Sequence, residues 1–110
     1  MSELNRYVDV SEALKRIGGS MDLYKRLLTQ FLDGDYIDPL EEALKKSDFE
    51  DASRKIHSLK GVCANLSLVE LTALSARLEG KVHGGTDYDG DFSELKRAYD
   101  ETVRHISEII

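Results

Sequence analysis

Residues 57–61 read His-Ser-Leu-Lys-Gly and place a nucleophilic imidazole one helical turn before a cation. They lie in the stretch DFEDASRKIHSLKGVCANLS, whose apolar residues recur at helical spacing and predict a helix over residues 49–65. With Ile56 and Leu59 on the buried side, His57 lies about 100° further round, on an accessible flank. A neutral imidazole can attack phosphorus and carry a phosphoryl group, and histidine is the side chain that changes charge near neutral pH.

The predicted surroundings of this histidine are small or cationic. The residues within one or two helical turns of it are Ser53, Arg54, Lys60, Gly61 and Ala64. The two cations are expected to hold anionic phosphoryl oxygens, and the small residues leave the approach open. The alternative to a reactive histidine is a surface histidine that is solvated and has no chemical role. The glycine favours function, because it costs about 1 kcal/mol relative to alanine inside a helix and has no evident packing benefit.

Other polar residues do not form a second reactive site. His83 and His105 show no metal-ligand spacing with His57, so no metal site is expected. The acidic stretch 87–91 resembles a calcium loop, but its sixth and twelfth positions lack the required glycine and glutamate, which excludes an EF-hand. Cys63 falls on the apolar stripe and is expected to be a small buried residue.

Helical periodicity recurs along the whole chain, and no useful strand alternation appears. Predicted helix starts are Ser20, Asp38 before a proline, Asp48, and Ser67 as the first residue of a capping box. Glycines near 18, 19 and 34 end helices, and residues 84–91 form a loop before a last helix from Phe92. Short connections make neighbouring helices antiparallel, so we expect one all-α domain over residues 1–110. Its fold is an antiparallel up-and-down four-helix bundle with a short additional N-terminal helix.

Composition excludes several classes of function. The formal net charge of −6 disfavours general binding to nucleic acid or anionic membranes. No apolar run has membrane-spanning length, and the N-terminus is too polar for a signal peptide. A single cysteine cannot form an internal disulfide, so a cytoplasmic setting is expected.

The motif residues 57–61, followed by Ala64-Asn65-Leu66, resembles the signature of histidine-containing phosphotransfer (HPt) domains of phosphorelays. Asp51-Ala52 upstream, and Leu71, Ala76 and Leu78-Glu79 downstream, fit as well. So does the N-terminal half, and the similarity extends from about residue 8 to residue 105. One departure is Ser67, where many members have glycine. We interpret it as a tolerated variant in which serine caps the next helix.

The resemblance implies a phosphorelay intermediate. His57 would accept a phosphoryl group through Nε2 from a receiver-domain aspartate or a histidine kinase and pass it to a response-regulator aspartate. Lys60 would steady the phosphoryl group and Gly61 would give the partner room, with Ser53, Arg54 and Ala64 also at the contact. No cofactor of its own is expected, because the receiver domain supplies the acidic pocket and Mg²⁺.

The implied partners are receiver domains and a hybrid sensor histidine kinase, with the chain itself a monomer without autonomous kinase activity. Two alternatives remain open. One is a helical adaptor that binds a receiver domain through the same flank without being phosphorylated. The other is the excised phosphoacceptor domain of a chemotaxis-type kinase. His57 and Lys60 together favour the carrier, since an adaptor needs neither.

Overall fold

The computed structural model describes residues 6–85 and 87–110 and is built of helices, with no strand among these residues. The helices are α1 (Val10–Arg16), α2 (Met21–Asp33), α3 (Ile37–Lys45), α4 (Phe49–Asn65), α5 (Val69–His83) and α6 (Asp89–Ile109). The four longest, α2, α4, α5 and α6, form the predicted all-α bundle. The short α1 is the predicted N-terminal addition. Helix α3 lies between α2 and α4 in chain order. None of the helices among these residues has both the length and the apolar character needed to cross a bilayer.

One hydrophobic core lies between the helices, and α4 packs most extensively against its chain neighbour α5. Each helix contributes the apolar stripe that its sequence predicts. The fully or nearly fully buried side chains include Leu28 and Phe31 of α2, Ile56, Leu59 and Cys63 of α4, Leu71 and Leu78 of α5, and Leu95 and Ile106 of α6. Because this stripe fixes the rotation of α4 about its axis, it also fixes which residues of α4 face solvent.

Two predicted helix caps are confirmed. The Ser20 hydroxyl accepts a hydrogen bond from the Leu23 N–H at 3.1 Å. The Asp48 carboxylate accepts one from the Asp51 N–H at 3.2 Å, and α4 begins at the next residue, as predicted. Each cap satisfies a backbone donor that the first helical turn leaves free.

Two other predicted helix starts are wrong. The third helix begins at Ile37, so Pro39 is its third residue and Asp38 is not its cap. The last helix begins at Asp89, which places the last three of the eight predicted loop residues in its first turn. There Asp89 and Asp91 are favoured by the positive end of the helix dipole, a preference that apolar periodicity does not reveal. Thr86 of the predicted loop lies outside the described residues.

The prediction that Ser67 caps α5 is also wrong. Leu68 precedes the first residue of α5, and Ser67 instead ends α4 in the left-handed conformation, with φ 55°. Its N–H donates to the Ala64 carbonyl at 3.2 Å and the Leu68 N–H donates to the Cys63 carbonyl at 2.9 Å. This pair of bonds is a Schellman motif, in which glycine is the preferred residue.

The α4–α5 turn is held from two sides. The buried Tyr24 hydroxyl donates to the Leu66 carbonyl at 2.7 Å, and the Asp9 N–H donates to the Ser67 carbonyl at 2.9 Å. Burial raises the pKa of Tyr24 to about 12, so the phenol stays protonated and continues to donate. The turn sets how far α5 is shifted along α4, and therefore which residues of the two helices meet.

Candidate functional site

His57 projects from the solvent side of α4. Its side chain is 74% exposed, although its neighbours Ile56 and Leu59 are buried in the core. A residue next to the buried stripe on a helix must leave the core at an angle of about 100°. The structure therefore places the histidine on the accessible flank that the sequence predicts.

A carboxylate on α5 binds both His57 and Lys60. Glu79 Oε2 lies 3.3 Å from His57 Nδ1, and Glu79 Oε1 accepts a hydrogen bond from Lys60 Nζ at 2.6 Å. The Glu79 side chain is only 25% exposed. Because α4 and α5 are antiparallel neighbours, residues 22 positions apart in sequence become partners across their interface.

Glu79 is ionised at neutral pH. Its hydrogen bond to Lys60 is the largest cause that lowers its pKa, and the charges of Lys60 and the contact with His57 act in the same direction, against a smaller opposing effect of burial. An ionised carboxylate only accepts hydrogen bonds. In the neutral imidazole this contact favours the tautomer with the proton on Nδ1, which leaves the lone pair on Nε2. Nε2 has no hydrogen-bond partner among the described residues and is free to act as a nucleophile.

Lys60 lies close to the imidazole, and its ammonium group is already paired with a carboxylate. Its side chain is 31% exposed and it forms the short ion pair with Glu79. To contact a phosphoryl group on Nε2, Nζ has to share or leave that carboxylate. The structure thus brings together His57 and Lys60, the two predicted reactive residues, and adds an anion between them.

Arg54 has carboxylate partners of its own. Its guanidinium lies 3.3 Å from Glu50 and 3.2 Å from Asp51, both one turn earlier on α4. Asp51 also pairs with Lys55, and the hydrogen bond from Lys55 is the largest cause that lowers the pKa of Asp51. These pairs hold Arg54 towards the start of the helix, so its contact with a phosphoryl group requires them to open.

Small residues surround His57 on its flank of the helix, so few side-chain atoms stand beside the imidazole. A Cβ built at Gly61 meets no atom within 4 Å outside its own helix backbone, so close packing does not require this glycine. Ser53 and Ala64 are half-buried and Gly61 is exposed. The site predicted from sequence therefore has room for a large partner directly above the imidazole.

An apolar groove adjoins the same helix further along. It has a volume of about 700 Å³ and lies among α1, α2 and the C-terminal half of α4. Its apolar walls are Ile17, Leu27, Phe31, Tyr36, Val62 and Leu66. The Tyr36 ring stacks on Phe31 with ring centroids 5.0 Å apart. A Cβ at Gly34 would come within 2.5 Å of that ring, so glycine is needed there.

The remaining histidines lie elsewhere. His83 is exposed at the end of α5, and His105 is buried in α6 with its ring stacked on Tyr7 at 4.9 Å. Within residues 6–85 and 87–110, no group of three or more potential ligands is placed to hold a metal ion. Cys63 is buried, as predicted, and burial raises the pKa of its thiol to about 12.

Sequence reasoning missed two parts of this site. Glu79 matched the HPt pattern, but its contact with His57 depends on the shift between α4 and α5, which periodicity does not give. The groove is formed by three helices, and single-helix patterns assign its residues to the core. A family model described as the Hpt domain matches residues 26–105 of the 110-residue chain. Comparisons with curated proteins and with solved structures give no match.

Proposed function

The chain belongs to the Hpt domain family, and on that basis we propose that it is a phosphoryl carrier between receiver-domain aspartates. Membership supports a phosphotransfer function in two-component signalling, and domains of this family interact with receiver domains and kinases. The observation that carries the specific proposal is the state of His57. Its side chain is exposed, its Nδ1 lies 3.3 Å from the Glu79 carboxylate, and its Nε2 has no hydrogen-bond partner among the described residues.

The proposed step is an in-line transfer at phosphorus. The Nε2 lone pair of His57 attacks the phosphorus of an aspartyl phosphate, an Nε2–P bond forms, and the P–O bond to the aspartate breaks. The aspartate leaves as a carboxylate, so no proton has to move. The imidazole ring gains positive charge as the bond forms, and the Glu79 carboxylate on Nδ1–H stabilises that charge. The reverse reaction delivers the phosphoryl group to a second receiver aspartate.

Lys60 is the proposed contact for the transferred group. It lies one turn after His57, and its ammonium is already held beside the imidazole by Glu79. A flexible lysine can move from one anion to another without a change in the helix. In this proposal Mg²⁺ comes with the acidic pocket of the receiver domain, where it neutralises charge during transfer.

The partner is proposed to lie over α4. Ser53, Arg54, Gly61 and Ala64 would face it around His57, and the apolar groove adjoins the C-terminal half of the same helix. The proposed upstream partner is a hybrid sensor histidine kinase, and the proposed downstream partner is a response regulator. The proposal places the chain in the cytoplasm as a monomer.

Phosphoryl transfer from purified, phosphorylated receiver domains of the same genome tests the proposal. His57→Gln should abolish labelling of the chain and keep its helicity. The matched control is His83→Gln, which removes an exposed histidine from the end of α5 and should be labelled like the wild type. Equal labelling of His57→Gln would refute the assignment. Receiver binding without any labelling of the wild type would favour the adaptor hypothesis.

A further inference from the structure

Most arginines of this chain are neutralised by its own carboxylates. Five of the seven form ion pairs within the described residues: Arg6, Arg16, Arg54, Arg77 and Arg104. That is expected in a chain with 21 acidic and 15 basic residues. Arg26 and Arg97 are the exceptions, since neither makes an ion pair, hydrogen bond or ring contact in the described part of the chain.

The two exceptions have different surroundings. Arg97 lines a cavity whose other charged residues are four acidic and two basic: Glu70, Glu94, Asp100, Glu101, Arg6 and Arg104. Arg26 is exposed on α2, and no ion pair joins it to Asp22, which stands one helical turn earlier in a favourable position for one. A free guanidinium in an acidic protein is thus presented to solvent by α2.

Arg26 lies beside the apolar groove that adjoins the His57 helix. Leu27, the next residue, and Gln30, one helical turn later, both line that groove. On the other side of the groove are Val62 and Asn65, which follow His57 on α4 by five and eight residues. The helix that bears the nucleophile therefore supplies one wall of the groove, and α2, which carries the unpaired Arg26, supplies the opposite wall.

This part of the molecule is nearly balanced in charge, whereas the whole chain is acidic. Over residues 10–33, which span α1 and α2, the four cations Lys15, Arg16, Lys25 and Arg26 exceed the three carboxylates Glu12, Asp22 and Asp33. The whole chain has a formal charge of −6. A partner that carries negative charge is therefore repelled less by this face than by the rest of the surface.

We propose that Arg26 is a specificity-determining residue, which selects a receiver domain that presents a carboxylate beside an apolar helix. The apolar helix occupies the groove between α2 and α4, and its carboxylate pairs with the Arg26 guanidinium. Receiver domains without an acidic residue at that place bind more slowly and receive or donate the phosphoryl group at a lower rate. This inference rests on the proposed function, because it concerns the partner that reaches His57.

The test measures second-order rate constants of phosphoryl transfer for Arg26→Glu, Arg26→Gln and the matched control Arg97→Glu. Receiver domains that label the wild type are the donors. At about 0.02 M salt, Arg26→Glu should lower the rate constant about tenfold, Arg26→Gln should lower it less, and Arg97→Glu should change it less than about twofold. At about 0.5 M salt the differences should shrink, since screening there acts within a few ångströms.

A second measurement separates this inference from the proposed function. Phosphoramidate, a small phosphoryl donor, should label His57 equally in all four proteins, because it needs no docking surface. Replacing the matching receiver carboxylate with lysine should restore transfer to Arg26→Glu. Equal rates for Arg26→Glu and Arg97→Glu, with phosphoramidate labelling intact, would overturn the inference alone. If phosphoramidate did not label His57 of the wild-type chain at all, the proposed function would instead be refuted.

Discussion

In the proposed transfer, Glu79 selects which nitrogen of His57 reacts. A neutral histidine in water exchanges between two tautomers, and a carboxylate that accepts from Nδ1 selects the one with its lone pair on Nε2. The same carboxylate binds Lys60, so both predicted reactive residues are oriented by one residue of the neighbouring helix. Its effect on transfer is therefore indirect, since it does not contact phosphorus.

We predict a graded response to changes at Glu79. Glu79→Gln retains an oxygen that can accept from Nδ1–H but removes the charge, so transfer should slow about tenfold. Glu79→Ala removes the acceptor as well and should slow transfer further. ¹⁵N NMR of the imidazole should show the Nδ1–H tautomer in the wild type and a mixture in Glu79→Ala. The control Glu70→Gln, on the same helix, should leave both readouts unchanged. Equal tautomer populations in all variants would contradict this role.

The ion pair between Glu79 and Lys60 predicts a dependence of stability on pH. The folded-state pKa of Glu79 lies below its ordinary value of 4.5, so its contribution to folding is present above pH 4.5 and disappears as the pH falls through the lower folded-state value. Lys60→Ala removes the largest cause of that shift. Urea unfolding should show the wild type more stable than Lys60→Ala at pH 7, and the difference should shrink as the pH falls below 4.5 and through the folded-state pKa of Glu79. A difference that persists unchanged at low pH would show that the stabilisation is not ionic.

At the scale of elements, the ends of α3 and α4 are alike. Each ends in a serine with positive φ, Ser47 at 56° and Ser67 at 55°. Left-handed backbone costs a residue with a side chain about 1–2 kcal/mol. Ser67 is also buried, and its hydroxyl has no hydrogen-bond partner among the described residues. The turn that sets the shift of α5 along α4 is therefore strained, and Tyr24 and Asp9 help to hold it.

We predict that Ser67→Gly stabilises the domain by about 1 kcal/mol, because glycine removes both the backbone strain and the unpaired hydroxyl. The melting temperature of a domain of this size should rise by about 4–8 °C. Ser47→Gly is the matched control: it removes the same strain at an exposed position and should give a smaller rise. If Ser67→Gly lowered the melting temperature while Ser47→Gly raised it, the buried hydroxyl would be contributing to stability.

Helix α4 contains Gly61, which lowers the stability of the helix and is not required by close packing. We predict that Gly61→Ala raises stability by up to about 1 kcal/mol, since open space surrounds the position. Gly61→Gln should fold but transfer phosphate poorly from a receiver domain, while phosphoramidate still labels His57. Gly80→Gln makes the same change at a second helical glycine in open space and should transfer normally. Unfolding of Gly61→Gln, or transfer at the wild-type rate, would contradict the clearance role.

At the scale of the whole molecule, the sequence predicts the features that depend on a single helix, such as its position in the chain and its buried side. Apolar periodicity placed α4 and its buried stripe, and with them the exposure of His57. It did not predict the turn at Ser67, because a serine with positive φ looks like a helix cap in sequence. The contact with Glu79 and the groove beside Arg26 depend on how helices are shifted and tilted against one another. Those distances result from the packing of the whole core and are not encoded in any single stretch.

The position of the phosphoryl group tests the central claim most directly. The wild-type chain would be incubated with a phosphorylated receiver domain, and the product examined by ³¹P NMR and by mass spectrometry of its peptides at alkaline pH, where phosphohistidine survives. The account predicts a single phosphoramidate on Nε2 of His57, and none on His83 or His105. Phosphate on another residue, or on Nδ1 of His57, would contradict it, because Glu79 would then not determine the reactive nitrogen.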